Sequence, residues 1–159
     1  MARWKIKNVG MKGVAMAVPE NVVKTSDFDF FSQEEAEVFD NTVGIRRRHI
    51  APDNMCASDM CQAAAEKLLE ELGWERDSID VLLFESVTGD YRTPPTSCIL
   101  QDRLALSENC FCMDIPMGCC GCMYAITVAG NLLTTGNVKR ALLLIGDTAL
   151  RMGSMKDKS

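Results

Sequence analysis

The sequence lacks several features, and each absence excludes a class of protein. None of its apolar runs is long enough to span a bilayer, so we do not expect a membrane protein. No apolar run follows residues 1–7, which are rich in Lys and Arg, so a secretory signal peptide is not predicted. Basic residues are outnumbered, with 17 Lys and Arg against 22 Asp and Glu, and this balance argues against nucleic acid as the main partner.

Histidine is nearly absent, whereas cysteine is abundant. His49 is the only histidine, and the eight cysteines stand at positions 56, 61, 98, 110, 112, 119, 120 and 122. An even number of cysteines suits a disulfide framework in a secreted chain, but five of the eight crowd between residues 110 and 122 and no secretory signal accompanies them. We therefore predict free thiols in a reducing compartment, the cytoplasm.

What is present indicates one globular domain. Because 47% of the residues are hydrophobic and neither repeats nor low-complexity linkers occur, residues 1–159 suffice for one domain with a sizeable core. Strand-like and helix-like segments alternate along the chain. The predicted strands are residues 9–18, 79–87, 110–115 and 140–146, and the predicted helices are residues 58–72, 96–106 and 119–135, with a short helix within 27–40 and a loop or bent strand over 44–52.

Several of these segments indicate the fold class. Residues 81–84 are a continuous apolar run, which is typical of a strand buried on both faces of a parallel sheet. The helix over 119–135 is apolar nearly all round, which predicts that it is the most buried element. Ser58 is predicted to cap the helix over 58–72. The order of elements predicts an α/β layered domain, with a mostly parallel sheet and helices on both of its faces.

The chemistry is expected where the third predicted strand turns into the last helix. Cys119 stands at or near the first helical residue, where free N–H groups and the helix dipole favour a negative charge. A thiol in that position ionises more readily, and the thiolate is the nucleophilic form. Gly118 and Gly121 leave room for the backbone and a substrate to approach closely. Cys119 is therefore the candidate nucleophile.

Two other interpretations of these cysteines stay open. A cysteine at the end of a strand is commonly a small buried hydrophobic residue. Cys110, Cys112, Cys119 and Cys122 also resemble a thiolate cluster that could bind a metal, although zinc sites usually pair C-x2-C knuckles or add histidines. The first two share a face of a predicted strand and the last two share a face of a predicted helix, so we predict no metal site.

Residues 114–122 carry a specific resemblance. They read Asp-Ile-Pro-Met-Gly-Cys-Cys-Gly-Cys and resemble the nucleophile segment of β-ketoacyl-acyl carrier protein synthase III, a thiolase-like condensing enzyme, which reads Asp-Val-x-x-x-Cys-x-Gly-Phe. The reactive cysteine of that family falls on Cys119. Residues 43–50 are similar to the family's Thr-Gly-Ile-x-x-Arg-x-Ile segment, and further matches follow in order through residues 136–147. Residues 1–159 as a whole resemble the amino-terminal half of the family fold, without its second half.

The resemblance implies a thiolase-like fold and an acyltransferase of fatty-acid or related lipid biosynthesis. In that family the cysteine thiolate takes an acyl group from a thioester, usually acyl-CoA, and condenses it with malonyl-acyl carrier protein as carbon dioxide is lost. The implied partners are acyl carrier protein and the acyl thioester, with no cofactor and no cofactor-binding residues to assign. A homo-oligomer, a homodimer in the family, is also implied.

Departures from the family pattern affect the predicted activity. Val38 and Thr42 stand where the family often has the Trp and Arg that hold the adenine and phosphate of CoA, which predicts an acyl donor other than acetyl-CoA. His49 falls at a non-catalytic family position, and the family's histidine and asparagine belong to its second half. We therefore expect this chain alone to be inactive. The alternative is a non-catalytic subunit or degenerate homologue that acts in dimer assembly.

Overall fold

The computed structural model describes residues 5–151, which form two compact units. The first unit contains residues 5–17 and Cys56–Asp147, and the second contains Val18–Met55 and residues 148–151. Within this part of the chain, no helix is both long and apolar enough to cross a membrane.

Strands and helices alternate from residue 57 onward, as the sequence predicted. Strands β1 to β5 are Val22–Lys24, Arg47–His49, Val81–Glu85, Phe111–Ile115 and Ala141–Ile145. Helices α1 to α4 are Gln33–Val43, Ala57–Leu72, Thr96–Arg103 and Gly121–Leu133. The elements from α2 to β5 belong to the first unit, and β1, α1 and β2 belong to the second.

A parallel three-stranded sheet forms the centre of the first unit, in the order β4-β3-β5. Val81 of β3 pairs with Phe111 of β4 on one side and with Ala141 of β5 on the other. All five residues of β3 are buried, so the predicted strand with two covered faces is confirmed.

Helices cover both faces of this sheet, because successive residues of a strand point to opposite sides. Leu82 and Phe84 lie in a buried cluster with residues of α2 and α3. Val81 and Leu83 lie in a second cluster, together with Ala125 and another alanine of α4. The predicted α/β class, with a parallel sheet between helices, is therefore confirmed.

Helix α2 begins earlier than predicted, at Ala57, and Ser58 is not its cap. Cys56 takes the N-cap position, and its backbone N–H donates to the Asp59 carboxylate at 2.7 Å. Ser58 is buried inside the helix, and its hydroxyl donates to the Asp90 carboxylate at 2.6 Å. At the other end Gly73 adopts a left-handed conformation with φ of 60°, which terminates the helix where the sequence predicted.

The prediction of a strand over residues 9–18 is wrong. No strand is present there, and the side chains of Val14 and Met16 are 76% and 79% exposed. Part of the segment instead lies against α2, because a Cβ on Gly13 would stand 2.9 Å from Cδ1 of Leu68. An apolar, glycine-containing segment that packs on a helix has the same sequence pattern as a strand, so the pattern alone does not separate the two.

Helix α4 is not the most buried element of this chain, contrary to the prediction. Met123 and Tyr124 are 65% and 53% exposed, whereas every residue of β3 is buried. The reason is that the sheet covers only one side of α4, the side of Ala125 and Ala129. An apolar composition all round a helix therefore did not translate into burial all round.

The second unit contains a short antiparallel pair and one helix. Strands β1 and β2 pair with Val22 opposite His49. Helix α1 starts later than predicted, after Ser32, whose hydroxyl accepts from the Glu35 N–H at 3.2 Å while the Glu35 carboxylate accepts from the Ser32 N–H at 2.9 Å. This reciprocal capping fixes the start of the helix, and Gly44, with φ of 78°, ends it.

Candidate active site

The turn between β4 and α4 carries the predicted nucleophile. Residues Gly118–Cys120 form a single 3-10 turn, and α4 begins at Gly121. Cys119 is exposed in this turn, near the first residue of the helix as the sequence predicted, although not within the α-helix itself. The α-helix starts later because the N–H of Gly121 bonds first to the carbonyl of Gly118, which closes the tighter 3-10 turn.

The turn lies over the carboxyl end of β3. Gly118 has φ of 62°, a left-handed conformation that favours glycine, and a Cβ there would stand 3.7 Å from Cγ1 of Val87. Gly121 is packed more tightly, because a Cβ on it would overlap the side chain of Glu85. The two glycines on either side of Cys119 and Cys120 therefore have different roles. Gly118 adopts the left-handed conformation of the turn, and Gly121 leaves space for the carboxyl group of Glu85.

Glu85 is the unexpected member of this site. Its side chain is 3% exposed, and its Oε1 atom has no hydrogen-bond partner among residues 5–151. Burial raises the pKa of this carboxyl above its usual 4.5, the negative charge of Asp147 raises it further, and a hydrogen bond from the Met117 backbone acts in the opposite direction. A buried acid is thus held next to the residue that starts α4.

Asp147 fixes the segment that follows β3. One of its carboxylate oxygens accepts from the Ser86 hydroxyl and from the Val87 N–H, both at 2.8 Å. The same oxygen accepts from the Thr88 N–H at 3.2 Å and from its hydroxyl at 3.1 Å. Since Val87 is the residue that faces Gly118, Asp147 fixes the position of a residue that packs against the turn containing Cys119.

Asp114 likewise uses its carboxylate to accept backbone hydrogen bonds, here at the amino end of α3. Its two carboxylate oxygens accept from the backbone N–H groups of Thr96 and Ser97 at 2.7 and 2.8 Å. These are N–H groups of the first helical turn, which have no partner within the helix itself. A charged side chain from the neighbouring strand therefore satisfies them.

Five of the other cysteines are more buried than Cys119, whereas Cys98 and Cys120 are exposed as Cys119 is. All eight, which lie within the described residues, are free thiols, as predicted. Burial raises the pKa of Cys61 to about 12, with further increases from Asp147 and Asp90. Burial also raises the pKa of Cys112 to about 12, and the neighbouring Cys110 adds to the shift. Thiols of this kind are almost entirely protonated near neutral pH, so they are poor nucleophiles.

The remaining candidate residues take no part in this turn. Among residues 5–151, no group of three or more His, Cys, Asp and Glu side chains is arranged to hold a metal ion. In the second unit, Nδ1 of His49 lies 2.5 Å from the Pro19 carbonyl oxygen, which occupies that ring nitrogen. Val38 in the same unit is 67% exposed, and the Thr42 hydroxyl donates to its backbone carbonyl at 2.7 Å. Neither side chain presents a ring or a positive charge for a nucleotide.

Sequence reasoning missed the roles of Glu85 and Asp147 entirely. Glu85 directly follows the apolar run of residues 81–84, at a position where a buried strand would ordinarily continue with an apolar residue. That acidic residue was the available signal. Asp147 gave only a weaker signal, an acidic residue just beyond β5, and its partners belong to a different strand end far away in the sequence.

Comparisons with known proteins agree with this geometry. The family described as 3-oxoacyl-[acyl-carrier-protein] synthase III matches residues 113–159. A β-ketoacyl-[acyl-carrier-protein] synthase III of Clostridium perfringens is 31% identical over 153 residues, which cover 96% of this chain and 47% of that protein. One from Geobacillus kaustophilus is 33% identical over 150 residues, 94% of this chain and 48% of that protein.

A solved structure extends the agreement to the fold. The 3-oxoacyl-(acyl-carrier protein) synthase of Burkholderia xenovorans superposes with a TM-score of 0.84 and 38% identity, over 92% of this chain and 44% of that one. The chain therefore has a thiolase-like α/β fold. Within that class it resembles β-ketoacyl-acyl carrier protein synthase III, and the predicted similarity to the amino-terminal half of that enzyme is confirmed. The chain spans about half the length of the relatives that it matches.

Proposed function

We propose that the protein carrying this chain is a condensing acyltransferase of the β-ketoacyl-acyl carrier protein synthase III type, with Cys119 as its nucleophile. The observation that carries the proposal is the exposed Cys119 thiol in the turn between the carboxyl end of β4 and the amino end of α4. The names of the relatives, β-ketoacyl-[acyl-carrier-protein] synthase III, support the role of an acyl carrier protein.

The proposed reaction has two steps. The Cys119 thiolate attacks the carbonyl carbon of an acyl thioester, a new S–C bond forms, and the carrier thiol leaves with a proton. Malonyl-acyl carrier protein then loses carbon dioxide, and the electron pair of the broken C–C bond forms a new C–C bond to the acyl carbonyl carbon. Cys119 leaves as the thiolate, ready for the next acyl group. No cofactor is consumed in either step.

The residues of this chain supply only part of what these steps need. Acyl transfer requires an activated nucleophile and donors for the oxyanion, and decarboxylation requires donors that stabilise the enolate. The backbone N–H groups at the start of α4 suit an oxyanion, whereas the single histidine, His49, is engaged with the Pro19 carbonyl. We therefore expect residues 1–159 alone to be inactive in condensation.

The surroundings of the reaction follow from the same proposal. Eight free thiols suit a reducing compartment, so we expect the enzyme to act in the cytoplasm, in fatty-acid or related biosynthesis. We also expect a homodimer. Because Val38 and Thr42 offer neither a ring nor a charge, the acyl donor is expected to differ from acetyl-CoA.

The test is acyl transfer followed by condensation, on protein expressed from the complete open reading frame. A panel of acyl-CoA and acyl-acyl carrier protein donors is supplied, and peptide mass spectrometry locates the acyl group. Malonyl-acyl carrier protein is then added and the β-ketoacyl product is measured. We expect one acyl group on Cys119, and turnover only when both substrates are present.

Two variants make this test specific. Cys119→Ser should lose acyl transfer, whereas Cys120→Ser, which removes the adjacent and also exposed thiol, should retain it. Acylation of Cys120 instead would contradict the assignment of the nucleophile. No acylation of any thiol by any donor would favour the non-catalytic alternative.

A further inference from the structure

Glu85 occupies a position where the fold calls for an apolar residue. It shares a face of β3 with Val81 and Leu83, which pack against α4, and in the sheet it pairs with Ile115 on one side and Ile145 on the other. A side chain that is 3% exposed on this face carries a carboxyl group with an unpartnered Oε1 atom. Burying such a group is costly, so its presence needs a reason.

The carboxyl is aimed at the amino end of α4. An added Cβ on Gly121 would overlap the Cγ, Cδ and Oε1 atoms of Glu85, so these atoms lie directly against the first residue of the helix. The free N–H groups of a helix amino end favour negative charge. Two groups can supply it here, the Glu85 carboxylate from beneath and the Cys119 thiolate from the turn two residues earlier.

Among residues 5–151, neither Glu85 nor Cys119 takes part in an ion pair. Helix α4 contains no Asp, Glu, Lys or Arg, and its titratable side chains are Cys122 and Tyr124. From beyond β5, Asp147 adds a further negative charge that faces Glu85. On β4, Asp114 points to the opposite face of the sheet, where it binds the amino end of α3. The turn itself adds only Cys119 and Cys120.

We propose that Glu85 is a positioning residue for Cys119, whose carboxyl lies against the first residue of α4 and whose negative charge opposes that of the Cys119 thiolate. The proposal rests on the proposed role of Cys119. While Glu85 is protonated, the helix end is available to the thiolate. Once Glu85 ionises, two like charges stand at the same helix end, and each makes the other harder to form.

The burial of Glu85 affects the pH at which its negative charge appears. Burial and Asp147 both raise the pKa of the carboxyl, so it keeps its proton to a higher pH than an exposed glutamate does. In that state the acid is neutral and tolerates its apolar neighbours. The same upward shift of its pKa brings the ionisation of Glu85 closer to the pH range in which thiols ionise.

The experiment compares the rate of Cys119 alkylation by iodoacetamide across a pH series in the wild-type protein and in Glu85→Gln. The protein is expressed from the complete open reading frame, and tandem mass spectrometry separates Cys119 from Cys120. We expect equal rates at the acid end of the series. As the pH rises, the Glu85→Gln protein should become faster by roughly three- to tenfold, since its neutral amide never competes.

Three controls keep this result specific. Cys98, an exposed thiol in the same protein, should alkylate at the same rate in both proteins. Glu108→Gln removes a charge from an exposed glutamate that precedes β4, at the end of that strand opposite to Cys119, and should leave the Cys119 profile unchanged. Glu85→Met, which continues the apolar stripe of β3, serves as a second neutral variant if Glu85→Gln does not fold.

The outcomes separate a charge effect from a packing effect. A ratio of rates that grows with pH supports the proposal. A ratio that is the same at every pH, or two identical profiles, would overturn it, because a purely structural role changes the rate without changing its pH dependence. Acyl transfer to Cys119 is measured separately, so a failure of the proposed function is recognised independently of this profile.

Discussion

Two helix amino ends in the first unit follow neighbouring strands of one sheet, yet they are completed in different ways. At α3 the Asp114 carboxylate accepts from the N–H groups of Thr96 and Ser97, so the helix end is filled by a charge. At α4, within the described residues 5–151, no side-chain hydrogen bond caps the helix, and one oxygen of the acid beneath it, Glu85, has no hydrogen-bond partner. A filled end stabilises the fold, whereas an open end leaves its N–H groups available to a thiolate or an oxyanion.

The strongest test of this contrast removes the charge that fills the first end. Asp114→Ala should lower the free energy of unfolding by about 2–3 kcal/mol, since two N–H groups lose a charged acceptor. Urea denaturation measures the change. Asp102→Ala, which removes an exposed carboxylate from the carboxyl half of the same helix, should change the stability by less than about 0.5 kcal/mol. Equal effects of the two variants would show that Asp114 is not a cap.

A second test probes the contact between Gly121 and Glu85 at the α4 end. Gly121→Ala should cost about 1–2 kcal/mol of stability, because the new Cβ collides with the buried Glu85 side chain. In a Glu85→Ala background the colliding atoms are gone, so the same substitution should cost much less. The four proteins form a double-mutant cycle, again measured by urea denaturation. A cost that is independent of residue 85 would contradict the contact.

The third test compares the two thiols nearest these helix ends. Cys98, in the first turn of α3, and Cys119 are both exposed. We expect Cys119 to alkylate roughly three- to tenfold faster near neutral pH, because Asp114 has already taken the N–H groups at the α3 end. Brief iodoacetamide treatment and peptide mapping give the ratio, and Cys61 and Cys112, whose pKa values are raised to about 12, should react last. Uniform labelling of all thiols would refute the contrast.

The smallest expected effect is on the pH dependence of stability. The pKa of Glu85 is raised in the folded state by burial and by Asp147, so its contribution to stability is complete below its unfolded pKa of about 4.5 and is lost as the pH rises through the folded pKa. Glu85→Gln does not titrate. Relative to the wild-type protein it should therefore be more stable at pH 8 than at pH 4.5, and urea denaturation at the two pH values measures the difference. A constant difference would indicate an unshifted carboxyl.

The sequence predicted the sheet and its helices because those elements depend on local patterns. The apolar run of residues 81–84 indicated the central strand, and the helical pattern over residues 58–72 indicated α2. Residues 9–18 misled because packing against a helix and pairing in a sheet select similar residues. The exposure of one face of α4 could not be predicted either, since composition does not show which elements pack against a helix.

The candidate site was predictable only where it is contiguous. Cys119 and its two glycines occupy one short segment, so their pattern indicated a turn with a nucleophile. Glu85 contacts Gly121 from β3, a different strand. Asp147 acts on the turn indirectly, through its hydrogen bond to Val87 in the segment that follows β3. Such contacts depend on strand order, and the order β4-β3-β5 cannot be deduced from the spacing of residues.

That strand order also has a consequence for the protein during its synthesis. β3 gains its second neighbour only when β5, near residue 141, has left the ribosome. Until then β3, with its apolar run of residues 81–84, presents one open edge. Edges of this kind recruit other strands into aggregates. A message that terminates between β4 and β5 thus yields chains prone to aggregation, and slow translation of α4 prolongs the same exposure in every nascent chain.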